Sequence, residues 1–237
     1  MITVVDGDVQ AAIDAVLEQP GGGKIYLPAG TYSASLNIPP AVGKYLVIAG
    51  DGPATVLTNI GAVPTTTCGM VGVVFRDLSF GPGTTAGPNN AVALNAANMP
   101  IFDHVYFQNL DSAVISKDSY SVRFRECTFV TIKNYAFYSY TAAHHLVFSG
   151  CGFFNTGLNG TPTIEVAQST MNIVLRDNDW ETGSCFIQYA AGGDNLIFEG
   201  NYTEYAANSV ISAPGVTRIR VIGHSAWPAS QQISDTP

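Results

Sequence analysis

Apolar residues alternate with polar ones along most of the chain, and the alternation recurs in blocks. "VVFRDLSF" ends at Phe80, "PIFDHVYF" at Phe107, "VRFRECTF" at Phe129, "LVFSGCGF" at Phe153 and "IVLRDNDW" at Trp180, and "LIFEGNYT" and "IRVIGHSA" continue the series. Aligned on Phe75, Phe102, Phe124, Phe148, Leu175, Phe198 and Val221, the blocks repeat every 22 to 27 residues. Within a block, as in Val122, Phe124, Cys127 and Phe129, the period of two slips once by one residue. Strand alternation with one slip predicts two short strands joined at a bend. Leucine-rich repeats share the period but need leucines in an LxxLxL frame, and propeller blades are about twice as long. The pattern predicts an all-β chain folded as a coil of parallel strands, each turn stacked on the last, which is a single-stranded parallel β-helix.

Stacked coils turn equivalent positions into columns about 4.8 Å apart. One column runs Leu78, Val105, Cys127, Cys151, Asn178, Asn201 and His224, setting thiol on thiol and amide on amide. Stacked asparagines can bond one another along such a column. Cys127 and Cys151 are expected side by side and unbridged, because parallel stacking seldom meets the disulfide torsion. With Cys68 and Cys185 they are expected as buried thiols, and no CxxC spacing suggests a metal cluster. Two outward columns follow: Ser79, Tyr106, Thr128, Gly152, Asp179, Tyr202 and Ser225, then Gly81, Gln108, Val130, Phe154, Glu181, Glu204 and Trp227. A further outward column, Val74, Ile101, Arg123, Val147, Val174, Ile197 and Arg220, is mostly β-branched and apolar. So long an apolar stripe predicts burial against copies of the chain.

Ahead of the repeats, "DVQAAIDAVLEQP" places Val9, Ala12, Ile13, Val16 and Leu17 on one helical face, with Asp8 as N-cap and Pro20-Gly21 as the stop. Such a helix would cover the open edge of the first coil. The expected division is a capping segment over 1–21, the β-helix over 22–227 and a polar tail over 228–237.

"AIDAVLEQPGGGKIYLPAGTYSASLNI", followed by "LVIAGDGPATVL", resembles the N-terminal signature of the pectate-lyase-like superfamily of right-handed parallel β-helices. That group includes pectin-degrading lyases, polygalacturonases and bacteriophage tailspike depolymerases. The signature covers residues 9 to about 57, and the repeats extend the similarity in kind to about residue 226. The resemblance implies a lateral groove for an extended polysaccharide, lined by carboxylates and aromatic platforms, and its tailspike members imply three-fold packing of the apolar column, a homotrimer. It speaks to fold more than to activity, because the signature builds the cap and first coils.

Acids and aromatics concentrate in the C-terminal coils. In "RDNDWETG", Arg176, Asp177, Asp179 and Glu181 surround an inward Trp180, and Glu204 of "EGNYTEY" should stack on Glu181. Like charges at strand spacing resist joint ionisation, which leaves an acid beside a base. Carboxyls about 5 Å apart suit a retaining glycosidase, and those about 6.5–9.5 Å apart an inverting one; Asp179 and Glu181 fall near the lower inverting distance. Asp179, Glu181 and Glu204 are therefore the candidate catalytic residues, and Tyr106, Arg176, Asp177, Tyr202, Tyr205 and Trp227 the candidate substrate-binding ones. The same acids also fit a coil edge whose charges block lateral aggregation.

No cofactor or metal is expected. Calcium, held by clustered aspartates in the pectate lyases that the resemblance brings in, is the alternative that Asp177, Asp179 and Glu181 leave open. Polygalacturonases carry a Gly-His-Gly turn, whereas Gly223-His224-Ser225 lacks the second glycine, so His224 reads as a core or end-cap residue. His144-His145 reads as a turn, and Ser112 and Ser116 precede no triad order.

Charged residues make up only 12% of the chain against 46% hydrophobic, a packed rather than disordered composition. A net charge of −8 with 10 scattered basic residues argues against nucleic acid. The apolar runs are too short for a membrane helix, and "MITVVDGDVQ" lacks the features of a cleaved signal. The expected protein is a polysaccharide-recognising, tailspike-like virion appendage that reaches the exterior on lysis, with depolymerisation as its candidate reaction. A stand-alone bacterial lyase or glycoside hydrolase, and a non-catalytic structural module, are the alternatives.

Overall fold

A computed structural model describes residues 2–4, 7–33, 36–39, 43–58, 72–82, 90–206, 209–227 and 233–234. The chain winds into a parallel β-solenoid of about eight turns, with one short helix near the N-terminus. From Val73 onward the described coils run along three faces, with strand on each. In a middle coil these are Arg123–Arg125 on the first face, Thr128–Ile132 on the second and Phe137–His144 on the third. The next coil repeats them as Val147–Ser149, Gly152–Thr156 and the start of Pro162–Arg176, all in parallel register.

The repeat read from the sequence is the observed stacking. Phe75, Phe102, Phe124, Phe148, Leu175, Phe198 and Val221 pair rung to rung, and Ile48 and Ile25 extend the column toward the N-terminus. The one-residue slip is a single left-handed residue between the first and second faces. Asp77, His104, Glu126, Gly150, Asp177, Gly200 and Gly223 hold it in successive coils, with φ between 49° and 65°. One such residue re-aims the side-chain alternation without ending the sheet. Asn109, Thr131, Asn155, Thr182 and Tyr205 do the same at the next corner.

The interior is built on two aromatic ladders. Phe75, Phe102, Phe124 and Phe148 stack at 5.3, 4.8 and 4.3 Å, and Phe80, Phe107, Phe129 and Phe153 at 5.2, 4.8 and 4.8 Å. The ladders meet edge to face, as between Phe124 and Phe129. Each ring contact adds about 0.5–1.5 kcal/mol beyond its burial. In the following coil Trp180 points inward as expected, stacks on Phe186 and donates from Nε1 to Thr163 Oγ1 at 2.9 Å.

The helix spans Val9–Glu18 and buries Val9, Ala12, Ile13, Val16 and Leu17, while Asp8 accepts the Ala11 N–H at 2.9 Å. After it, Gly22 has φ +81° and lies so close to Tyr45 that a Cβ would fall 1.9 Å from that carbonyl oxygen. The glycine run thus serves a turn and a close strand approach at once.

Cys127, Cys151 and Cys185 are buried free thiols, and Cys68 lies outside the described residues. Burial raises the pKa of the Cys127 thiol well above the ordinary value, with its neighbour Cys151 adding to the effect, and burial pushes Cys185 up to about 12. His224 is half-buried, hydrogen-bonded through Nδ1 to the Asn201 carbonyl and edge-on to Phe198.

Three readings change. Ser79 is not outward: it is fully buried, and its Oγ donates to the Pro53 carbonyl of the turn Gly52–Ala54. His144 closes the strand Phe137–His144 and stacks on Tyr120, leaving His145 alone at the corner. Ile233–Ser234 pairs with Ile211–Ser212, so strand stacking continues past residue 227.

Candidate functional site

The two outward columns on the second face form in the expected register. Asp179 pairs with Gly152 on one side and Tyr202 on the other; Glu181 pairs with Phe154 and Glu204. Asp179 and Glu181 lie two apart on the strand Asp179–Gly183, and their outward direction follows from Trp180 between them being fully buried. Glu204 lies on Tyr202–Ala206 in the next coil.

Their surroundings favour protonation. Desolvation raises the pKa of Asp179, and its Oδ1 is buried without a hydrogen-bond partner. The ring of Phe154 lies over the Cα of Gly152, the strand neighbour of Asp179, so this part of the face is apolar where a side chain at 152 would otherwise stand. Glu181 is raised by desolvation first, then by the charges of Asp179 and Glu204. Tyr202 is raised by desolvation and by Glu204, Asp179 and Glu181. Desolvation and neighbouring like charges thus raise the pKa of Asp179 and Glu181, the direction that general acid catalysis requires.

The other predicted residues divide. Tyr202 stands in the Asp179 column, and Tyr205 occupies the adjoining corner with 58% of its surface exposed. Tyr106 belongs to the same column, but Thr128 and Gly152 separate it from Asp179. Trp227 pairs through its backbone with Glu204. Arg176 and Asp177 are parted from the acids: Arg176 lies on the first face bonded to Glu199 at 2.8 Å, and Asp177 forms the left-handed bend. That bend sends residues before and after it to different faces.

A cluster on the third face was not foreseen. Tyr135 and Tyr138 stack at 4.7 Å, Tyr140 adjoins Tyr138 at 5.6 Å, and Glu165 pairs in register with Tyr138 from the next coil. Desolvation raises the Glu165 pKa while a hydrogen bond with Tyr135 lowers it. Desolvation, followed by the Glu165 charge, raises Tyr135 and Tyr138. The signal was present in "NYAFYSY", where Tyr138 and Tyr140 flank the buried Ser139. Flat aromatic faces beside a carboxyl group are suited to a sugar ring, whose C–H face packs on the ring and whose hydroxyls bond the acid. Among the described residues no group of three or more His, Cys, Asp or Glu is arranged to hold a metal ion.

No protein-family model matches the chain, and no curated protein matches it. Solved structures do. The catalytic domain of a GH87 alpha-1,3-glucanase in complex with nigerose is similar with a TM-score of 0.74 at 14% identity, over 95% of this chain and 44% of that one. The catalytic unit of the thermostable GH87 alpha-1,3-glucanase from Streptomyces thermodiastaticus strain HF3-3 gives 0.63 at 12% identity, over 95% and 46%. Geobacillus virus E2 ORF18 gives 0.52 at 14% identity, over 91% and 55%. The chain spans about half the length of these structures. At such identities the shared property is the fold, a parallel β-solenoid found both in glucanase catalytic domains and in a virus protein.

Proposed function

We propose that this solenoid binds an extended polysaccharide across its second and third faces and hydrolyses it with the acid column. The observation that carries the reading is the register pairing of Glu181 with Glu204 beside a desolvated Asp179. Glu181 gives its proton to the glycosidic oxygen as that bond breaks and Glu204 bonds the anomeric carbon; water then releases the sugar from Glu204 and returns a proton to Glu181. Asp179 disfavours loss of that proton until the bond breaks. Adjacent parallel strands put the Glu181 and Glu204 backbones about 4.8 Å apart, near the spacing of a retaining pair. Tyr202 and Tyr205 on this side, and Tyr138 and Tyr140 on the other, supply the stacking surfaces. The similar glucanase domains, one in complex with nigerose, support a glycan as the ligand. Relationship to the pectate-lyase-like superfamily is part of the same proposal, as is a reaction that needs no calcium.

A virion appendage is the setting this reading favours, with the similar virus protein in its support. Val74 with Ile101, and Val174 with Ile197, half-buried and paired in register toward the two ends of the apolar outward column, support three-fold self-association.

Incubation with a panel of polysaccharides that includes alpha-1,3-glucan tests the function. Polymer shortening with new reducing ends, absent in Glu181→Gln and Glu204→Gln and unaffected by a chelator, is the expected result. Unsaturated ends or loss of activity with the chelator would replace hydrolysis by elimination. No shortening on any polymer would leave binding without catalysis.

A further inference from the structure

The first face carries a charge ladder with one member missing. In register from coil to coil, one column reads Arg76, Asp103, Arg125, Ser149, Arg176 and Glu199. Arg76 bonds Asp103 through Nε at 2.8 Å and Nη2 at 2.5 Å, and Arg176 bonds Glu199 at 2.8 Å. Between these pairs stands Arg125, whose neighbour on the far side is Ser149 where the alternation would place an acid. Asp103 is already engaged, one oxygen by Arg76 and the other facing His104 Nδ1 at 3.2 Å. Among the described residues neither Arg125 nor Arg123, two positions before it, makes an ion pair, and both are exposed.

The missing acid also leaves room. Ser149 and the bend residue Gly150 are small while the rungs on either side are large. The result is an open notch of about 530 Å³ lined by Arg123, Arg125, Glu126, Val147, Ser149, Gly150 and Asp177. That volume lies within the range of ligand clefts, about 300–1,000 Å³. Its two rim acids are drawn away from the arginines. Glu126 is bonded by His104 Nε2 at 2.7 Å, and the Asp177 carboxyl occupies the space above Gly200.

We infer that this notch is a second saccharide site, which binds the carboxylate of an acidic sugar in the place of the absent ladder acid. A guanidinium fork matches a planar carboxylate with two parallel hydrogen bonds. Glu126 and Asp177 at the rim repel a second negative charge, which favours a monoanion over a phosphate dianion, and they remain as acceptors for sugar hydroxyls. Val147 supplies an apolar edge for the ring. The choice of a saccharide rests on the glycan reading above, whereas the anion preference rests on the ladder alone.

The test follows the arginine Nε–H resonances of isotope-labelled protein by NMR while sodium glucuronate is added, with its methyl ester, acetate and inorganic sulfate as controls. Saturating shifts with glucuronate, none with the ester, and binding at least about tenfold weaker for acetate and sulfate are expected. Ser149→Asp supplies the missing acid from within, so the fold stays intact, the melting temperature does not fall, and glucuronate binding drops about tenfold or more. Arg125→Gln gives the same loss without filling the notch. Equal binding of acetate or sulfate would overturn the sugar assignment. Unchanged glucuronate binding in both variants, or no saturable shift in the unaltered protein, would overturn the site. Polymer cleavage should survive in Ser149→Asp; cleavage that fails in the unaltered protein while the notch still binds glucuronate defeats the catalytic reading and not this one.

Discussion

The side-chain oxygen of Asn201 accepts two hydrogen bonds from Asn178, one from its backbone N–H at 3.0 Å and one from its side-chain amide at 2.8 Å. Asn178 passes the pattern on by accepting the Cys151 N–H at 2.9 Å, and the Asn201 amide donates to the Leu175 carbonyl at 2.9 Å. Both residues are buried in a column that begins with Leu78 and Val105. The amides satisfy the backbone just after the bend, where the ladder cannot. Asn201→Leu should therefore destabilise the protein by about 2–4 kcal/mol in denaturant unfolding, because it strands two buried donors. Cys151→Ala, which removes only a small apolar group from the same column, should cost about 1 kcal/mol.

Gly22 and Gly21 give a sharper contrast, since both have positive φ but only Gly22 lies against another strand. Gly22→Ala must displace the Tyr45 backbone as well as adopt a strained conformation, and should cost more than about 2 kcal/mol. Gly21→Ala meets open space and should cost about 1 kcal/mol. Thermal melts that rank the two variants in the opposite order would contradict the close approach.

The repeat, the helix with its Asp8 cap and the outward register of Asp179, Glu181 and Glu204 could all be read from the chain, because a solenoid makes every coil restate the same alternation. Other features were hidden for identifiable reasons. The left-handed corners at Thr131, Thr182 and Tyr205 use residues that do not advertise positive φ. Arg176 and Asp177 look continuous with Asp179 in sequence, yet the bend at Asp177 carries them to another face. The third face has no phenylalanine ladder to mark its rungs, so nothing in the sequence aligns Tyr138 with Glu165, which pair in register across neighbouring coils.

Acid stability should depend on Asp194. Hydrogen bonds from Arg218 and Thr217 hold its pKa down to about 2, below the ordinary aspartate value of about 3.9. A depressed carboxyl stabilises the fold above the unfolded pKa and loses that contribution as pH falls toward the folded one. Arg218→Gln should lower the melting temperature at pH 6, with the difference closing as pH approaches 2.

Asp179 and Glu165 have the opposite sign. Their folded pKa values are raised by desolvation, so the folded state holds their protons more tightly than the unfolded chain does. Stability should fall as pH rises from the unfolded values of about 3.9 and 4.3 through the raised ones. Asp179→Asn and Glu165→Gln should each gain in melting temperature relative to the unaltered protein between pH 4 and 7. A constant difference across that range would mean that neither carboxyl is perturbed by its face.

The tyrosine platform and the acid column should separate by readout. Tyr140 is 43% exposed and contributes a ring face rather than core packing, so Tyr140→Ala should leave the melting temperature within about 1 °C. If the platform holds a neighbouring stretch of the same polymer, its loss weakens binding about tenfold and slows cleavage of long chains, while short oligosaccharides that reach only the acid column are cleaved at the original rate. Glu181→Gln should do the reverse, abolishing cleavage of long and short substrates and leaving binding nearly intact. Equal loss on long and short substrates in Tyr140→Ala would place the tyrosines at the bond being broken, and no loss on either would confine the glycan to the second face.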